Sequence, residues 1–261
     1  MASRIPFVLS AFAGLSVLAA CSADVGVVVN EDELQGGKID RGDPAVGLVW
    51  LEDDLCTGTL IAPDVVLTAG HCVQSKVEGF YTGTGKATGM VSPSTVASMV
   101  RHEVAEAVAF PTYEKPKKPI PFDPSWRGCP NPTTDVALIR LAKPIPNVKP
   151  MKLGSSAAPA VGSTCVGIGY GLHDASGVTT FGQKRKGTEI VSSVTDVNVI
   201  VSAGTGLADS GDSGGPLICN GVIVGATSCH DDGHYPQHAA EYYARVDVAR
   251  SWIDEKLAEW R

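Results

Sequence analysis

From Val46 onward the chain breaks into short apolar runs, each a few residues long and each closed by a cluster of turn-forming residues. Runs of that length, rich in Val, Thr and Ile, suit β-strands and are too short for a set of mutually supporting helices. Strands are expected at Val46–Leu51, Gly58–Ile61, Val65–Thr68, Val136–Leu141, Val166–Tyr170, Glu189–Val194, Val197–Val201, Pro216–Ile218, Val222–Thr227 and Tyr242–Val246. The 29 glycines and 17 prolines supply the turns such a chain needs. Val248–Trp260 is the one segment with a helical pattern. Trp252, Ile253, Leu257 and Trp260 fall near one face, and Asp254, Glu255, Lys256 and Glu259 fall elsewhere. Between 111 and 134 a proline recurs every few residues, from Pro111 to Pro132, which excludes helix and central strand and predicts an ordered surface loop. There is no internal repeat, and 261 residues fit a single all-β unit preceded by a short leader.

Composition closes off several function classes. With 44% hydrophobic and 19% charged residues a sizeable core can form, which argues against wholesale disorder. The net charge of −7 comes without any basic stripe, so a nucleic-acid partner is not expected.

The N-terminus reads as an export signal. Arg4 precedes an apolar stretch from Ile5 to Ala20 that is short for a membrane span and ends in small residues. Leu18-Ala19-Ala20-Cys21 matches a bacterial lipoprotein box, in which Cys21 is acylated and becomes the new N-terminus. The other reading is an ordinary signal peptide cut near Ala20 or Ala23. Either way the mature protein lies outside the cytoplasm, as a cell-envelope lipoprotein or a secreted protein, and any membrane contact is through the lipid at Cys21. The chain thus divides into residues 1–20 (signal), 21–33 (an acidic tether or pro-segment) and 34–261 (the folded domain). Seven cysteines are an odd number for an exported protein. With Cys21 set aside for lipid, Cys56, Cys72, Cys129, Cys165, Cys219 and Cys229 remain, and composition does not choose among their pairings.

Three residues stand in a suggestive order: His71, Asp135, then Ser213. Acyl transfer by a hydroxyl needs a base to activate it, a group to orient the base, and fixed donors for the developing oxyanion. Ser213 sits in Gly211-Asp212-Ser213-Gly214-Gly215-Pro216, where glycines permit unusual backbone conformations and let N–H groups approach a bound carbonyl. Gly-Asp-Ser alone would read as a tight turn with an exposed serine; the six residues together do not. His71 lies in Leu67-Thr68-Ala69-Gly70-His71-Cys72, and a disulfide from Cys72 to Cys56 would fix the strand pair that carries it. Asp135 heads the run to Leu141, where it could accept the His71 Nδ1–H bond or act only as a turn residue. Asp123 and Asp174 are weaker rivals for the role.

These blocks resemble the chymotrypsin/trypsin family of serine proteases. Cys56–Ile61, Leu67–Cys72, Asp135–Leu141, Cys165–Gly171, Gly211–Cys219 and Tyr243–Val246 follow the family's order across nearly all of residues 34–261. The resemblance implies a pair of six-stranded antiparallel β-barrels with a C-terminal α-helix and the active site between them. It implies a serine endopeptidase acting on polypeptides without a cofactor, with Ser213 as nucleophile, His71 as general base and acid, Asp135 as orienter, and the N–H groups of Gly211 and Ser213 as the oxyanion hole. It further implies bridges Cys56–Cys72 and Cys165–Cys219, with Cys129–Cys229 as a third, and a monomer. A protein-binding homologue without activity is the main alternative; its loss of function would usually show as a missing Ser, His or Asp, and all three are present. An esterase of another fold would carry a Gly-x-Ser-x-Gly elbow and the reverse order of partners.

The sequence departs from the family pattern in two places. Activation in the family follows a cut before Ile or Val and then Val-Gly-Gly, and the freed amine pairs with the aspartate before the nucleophile, here Asp212. This chain has Leu34-Gln35-Gly36-Gly37 after Glu33, so a cut by an activating protease between Glu33 and Leu34 is expected to form a Leu34–Asp212 ion pair. In the specificity pocket, Leu207 stands where trypsin-like members carry a basic-selecting Asp, with Ala208 next to it. Asp209 replaces a cysteine, and Ser228, His230 and Glu241 complete the expected wall. Glu241 favours Lys or Arg and Leu207 favours apolar side chains, so no preferred residue follows. His230, Asp231, Asp232, His234 and His238 cluster in sequence, but a solvated turn is expected there and no metal site.

Overall fold

The computed structural model of the chain describes residues 37–52, 54–89, 91–114, 133–154, 157–173, 180–231 and 239–261. The first half holds β1 (Lys38–Ile39), β2 (Val46–Leu51), β3 (Leu55–Ala62), β4 (Val65–Thr68), β5 (Val77–Thr82), β6 (Val100–His102), β7 (Val104–Ala109) and β8 (Ala137–Leu141). The second half holds β9 (Thr164–Gly169), β10 (Arg185–Val194), β11 (Asn198–Ala203), β12 (Pro216–Cys219), β13 (Val222–His230) and β14 (Glu241–Arg245). A single helical turn, α1, covers Pro93–Val96, and a helix, α2, covers Val246–Glu259.

The strands form two antiparallel sheets, and each closes into a barrel of six. In the first, the order β6-β5-β2-β3-β4-β8-β7 becomes a ring because β6 and β7 are one stretch of chain interrupted at Glu103. One end of that stretch pairs with β5 and the other with β8. In the second, β10-β11-β14-β13-β12-β9 closes through β9 back onto β10, and the two-residue β1 is added on the outside of β10. Closure removes the exposed edges that an open all-β chain would have to protect.

Each barrel has its own core. Val49, Leu60, Val66, Phe80 and Ile139 fill the first, and Val191, Val199, Val201, Leu217 and Tyr243 the second. Two further clusters cross between them. Val46, Leu48 and Leu55 meet Ile168 and Tyr170, and Leu67 and Leu138 meet Ile223, Ala244 and the inner face of α2. The barrels are therefore fused along two apolar seams, which fixes how side chains from one face those of the other. Gly47 shows the tightness of the fit: a β-carbon there would lie 2.4 Å from the Phe80 ring. Leu217 is fully buried in the second core. Leu217→Ala is expected to cost about 2–5 kcal/mol of stability, read by denaturant unfolding; a loss under ~1 kcal/mol would mean the second core collapses readily around the void.

The expected strands are all present, several of them one to four residues longer. Strands β1, β5, β6 and β7 lie outside the expected set. The expected strand Tyr242–Val246 and helix Val248–Trp260 in fact meet without a linker, β14 ending at Arg245 and α2 beginning at Val246. Arg245 donates to both oxygens of Asp247, from Nε at 3.0 Å and Nη2 at 2.7 Å, which ties the turn. Asp247 in the first turn and Lys256 in the last suit the helix dipole. Ala249 and Ile253 are buried, and Trp252 meets Phe110 edge-on at 5.4 Å.

Bridges Cys56–Cys72 and Cys165–Cys219 are formed, with Cα separations of 6.3 and 4.4 Å, as the resemblance implied. Intact bridges suit an exported protein. Cys229 is also disulfide-bonded; its expected partner Cys129 lies outside the described residues, as do the signal, the tether, Leu34, most of the proline-rich segment, Asp123 and Asp174. No helix among the described residues is long and apolar enough to cross a membrane.

Candidate active site

His71 leaves β4 on a short helical turn, His71–Val73, pinned by the Cys56–Cys72 bridge. Asp135 precedes β8, which pairs with β4 in a register that sets Thr68 against Ala137. That pairing brings the two side chains together. His71 Nδ1 lies 2.7 Å from Asp135 Oδ2, and the His71 backbone N–H donates to Asp135 Oδ1 at 2.8 Å. A third donor comes from the other barrel: Ser228 Oγ donates to Asp135 Oδ2 at 2.7 Å. Ser228 sits at a bulge, where the β13–β14 register slips between Thr227 and Cys229. Bulges re-aim a side chain in this way, and the sequence carried no sign of it.

Asp135 is buried, while His71 is open to solvent on one side. Burial alone would pull the His71 pKa down; the charge and hydrogen bond of Asp135 outweigh it and leave the imidazole above its ordinary 6.5. Gly70, just before His71, leaves no room for a side chain, since a β-carbon would lie 2.8 Å from the Tyr113 ring and 3.0 Å from Asp135 Oδ1. Tyr113 thus packs over the same carboxylate.

Ser213 comes to this pair on the turn before β12. Its carbonyl accepts the Thr57 N–H at 2.8 Å and lies 3.7 Å from Sγ of Cys72, the neighbour of His71. Gly211 at φ +92° and Gly214 at φ +82° adopt the left-handed backbone that glycine favours. A β-carbon at Gly214 would collide with the Thr68 hydroxyl. Thr57 also spans the barrels, donating from Oγ1 to the Gly211 carbonyl at 3.1 Å and accepting the Tyr170 N–H at 3.1 Å. Among the described residues neither the Gly211 nor the Ser213 N–H has a hydrogen-bond acceptor, so both remain as donors beside the serine.

Asp212 points away from that surface into the second barrel and is buried. Its Oδ1 accepts the Gly171 N–H at 2.7 Å and its Oδ2 the Asp209 N–H at 3.0 Å. Burial pushes its pKa up to about 7 against those two bonds. The expected ion pair with Leu34 lies outside the described residues.

Beside Ser213 opens a cavity of about 270 Å³, lined by Asp209, Ser210, Thr227, Ser228, Cys229, His230 and Glu241. Asp209 and Glu241 are both buried, and burial pushes the Glu241 pKa well up, with nearby acids raising it further. Ser228 and His230 line this wall as expected. Leu207 and Ala208 do not; both pack into the second barrel's core with Val199, Leu217 and Tyr243. Of the clustered histidines and acids, His230 and Asp231 are described, and His230 Nδ1 bonds the Asp231 carbonyl at 2.7 Å; Asp232, His234 and His238 lie outside the described residues.

Comparison with known proteins agrees with this geometry. The family model described as Trypsin matches residues 37–253. Mouse kallikrein 1-related peptidase b22 is 29% identical over 230 residues, covering 82% of this chain and 84% of the relative. The β-fibrinogenase mucrofibrase-5 of Protobothrops mucrosquamatus is 31% identical over 235 residues, covering 82% of each chain. Among solved structures, neuropsin, a serine protease expressed in the limbic system of mouse brain, superposes with a TM-score of 0.62 at 25% identity, over 83% of this chain and 95% of its own. In sequence, in the closure of both barrels and in the pairing of His71 with Asp135 beside Ser213, the chain belongs to the trypsin family of serine endopeptidases.

Proposed function

We propose that the chain cleaves polypeptides through an acyl-enzyme on Ser213, with His71 and Asp135 completing the triad. The observation that carries the reading is the Asp135 carboxylate, buried and met by three donors, two of them from His71. A carboxylate so held keeps the Nδ1–H tautomer and leaves Nε2 as the base. Ser213 Oγ attacks the substrate carbonyl and its proton passes to His71 Nε2. The tetrahedral oxyanion is met by the N–H groups of Gly211 and Ser213. The imidazolium then gives its proton to the departing amine, and water repeats the sequence to free the acid. The test is labelling with a fluorophosphonate probe and mapping of the adduct. Modification of Ser213, lost when the protein is denatured first, is the expected result. A folded protein that is never labelled would instead favour a protein-binding homologue without activity.

The cavity supports a finer claim. Its floor and wall carry Asp209 and Glu241, so the side chain that fills it is Lys or Arg. Burial and the neighbouring acids raise the Glu241 pKa, and a cation bound beside it would favour the carboxylate and lower it again. Glu241→Gln is expected to lower kcat/KM for substrates with Arg before the scissile bond by on the order of 10²-fold, and to leave Phe substrates within a few-fold. Equal losses on both would remove Glu241 from specificity. Cys21 as the lipid anchor and Cys129 as the partner of Cys229 complete the proposal for an exported enzyme that is either tethered to the cell envelope or secreted.

A further inference from the structure

The second barrel carries, away from Ser213, a groove of about 400 Å³ lined by Gly37, Lys38, Val166, Gly187, Thr188 and Thr205, with Lys186 beside them. Val166 lies opposite Thr188 across the β9–β10 pairing, so the two side chains share one face. No acid lines the groove among the described residues. Its two cations differ. Lys186 already bridges Asp40 at 3.0 Å and Asp43 at 2.8 Å. Lys38 is exposed and has no ion pair among the described residues.

The chain itself leads into this groove. Gly37 and Lys38 open the described domain and are part of the lining, so Gly36 is attached one peptide bond away. Strand β1 sets Lys38 against Lys186, and the same register carried back would set Gly36 against Thr188. That edge is taken. The Thr188 N–H donates to Thr205 Oγ1 at 2.9 Å, and the Thr188 carbonyl accepts the Gly204 and Thr205 N–H groups at 3.0 Å each. The sheet therefore offers Gly36 no ladder bonds, and what the groove offers instead is apolar surface. Leu34 is the one large apolar side chain in residues 30–37, and it follows Glu31-Asp32-Glu33. Three residues separate it from Gly37, a reach of at most ~10 Å.

We infer that in the uncut chain this groove is the docking site of residues 31–36, with Leu34 seated against Val166 and Thr205 and the acids before it set against Lys38. Burial of the leucine holds the segment, and the exposed charges orient it more than they bind it. The Glu33–Leu34 bond must then be drawn out of the groove before a protease can cut it. The groove is thus a brake on the cut, and the freed leucine leaves it for Asp212. The inference rests on the peptidase reading for what the cut achieves; the docking does not depend on it.

The first experiment traps the segment. Uncut Leu34→Cys/Thr205→Cys chain is treated with a mild oxidant, and bridged peptides are mapped by mass. A bridge within one molecule is the expected result, with little or none in Leu34→Cys/Val100→Cys, whose second position is exposed on the first barrel. No bridge, equal bridging at Val100, or a bridge between two molecules overturns the inference. The second arm measures how fast a Glu-specific protease cuts the uncut chain at Glu33–Leu34, with the new N-terminus sequenced. Thr205→Trp fills the groove at an exposed position and should speed the cut by about 10-fold or more. Lys38→Glu should speed it a few-fold, less so at high salt. Equal rates in all three proteins refute the docking, and if Thr205→Trp does not fold the trapping result decides. Fluorophosphonate labelling of Ser213 is read separately, so failure of the docking leaves the peptidase reading standing.

Discussion

Ser213→Ala is expected to reduce kcat on a good peptide substrate by on the order of 10⁶-fold. The substitution removes one oxygen and little else. The Ser213 carbonyl still accepts the Thr57 N–H, and the turn is still held through Asp212 and through Gly214 N–H to the Thr227 carbonyl at 2.7 Å. The fold and the cavity should therefore survive, and substrate should bind with an unchanged Kd. What disappears is the covalent route. Water attack assisted by His71 and by the two oxyanion donors would remain, which sets a floor of roughly 10³–10⁴ over the uncatalysed reaction. Single-turnover kinetics on protein free of wild-type carry-over is the measurement. A loss below ~10³-fold would mean that Ser213 is not the attacking group. An equal loss with a collapsed unfolding midpoint would mean that the turn and not the hydroxyl had been disturbed.

How much of this was legible in the sequence depends on whether the chemistry is linear or assembled. Ser213 and His71 lie in contiguous motifs because each needs its own local backbone: glycine at left-handed positions around the serine, and a cysteine next to the histidine to pin its turn. Asp135 was legible because it opens an apolar run. Strands that are apolar but for one residue, such as β4 with Thr68 and β8 with Arg140, were found with little error, since burial on both faces leaves a nearly continuous signal. Strands β5, β6 and β7 were not, and the burial patterns explain why. Residues 104–109 read Val-Ala-Glu-Ala-Val-Ala and are only partly buried, so no alternation marks a face. They are strands because β8 and β5 offer them edges to pair with, a property of the closed barrel and not of the segment.

The pocket was the least legible part for the same reason. Leu207 and Glu241 were placed in its wall by sequence position alone. The backbone that leads to Asp209 turns Leu207 into the core, while Glu241 reaches the cavity from β14, far away in sequence. Ser228 was expected as pocket lining only. Its bond to Asp135 depends on a bulge, and a bulge is a mismatch between two strands that neither sequence records by itself.

Asp135→Asn should lower kcat by on the order of 10⁴-fold, and the shape of the pH profile should change with it. The carboxylate offers two oxygens to three donors, and an amide has one oxygen and an NH₂ group. If the amide oxygen keeps the His71 backbone N–H, its NH₂ faces Nδ1 and forces the opposite tautomer, with the proton on Nε2 where the base should be. The sign of the pH effect follows from the balance at His71. Burial depresses its pKa and Asp135 more than reverses this, so the wild-type acid limb lies above 6.5. With the charge gone only the depression is left, and the limb should move to lower pH. At a pH where the mutant imidazole is fully neutral the rate should still be far below that of the parent, because the defect is one of tautomer and of unstabilised imidazolium. A limb that moves down while kcat recovers would reduce Asp135 to a tuner of the His71 charge. An unmoved limb would break the pairing of the two residues in solution. Removing the third donor gives the contrast: Ser228→Ala takes one hydrogen bond from a carboxylate that keeps two, worth about 1.5–3 kcal/mol at most. Its effect should stay well short of the Asp135→Asn loss, with the acid limb still on the high side of 6.5 because the Asp135 charge beside His71 is intact.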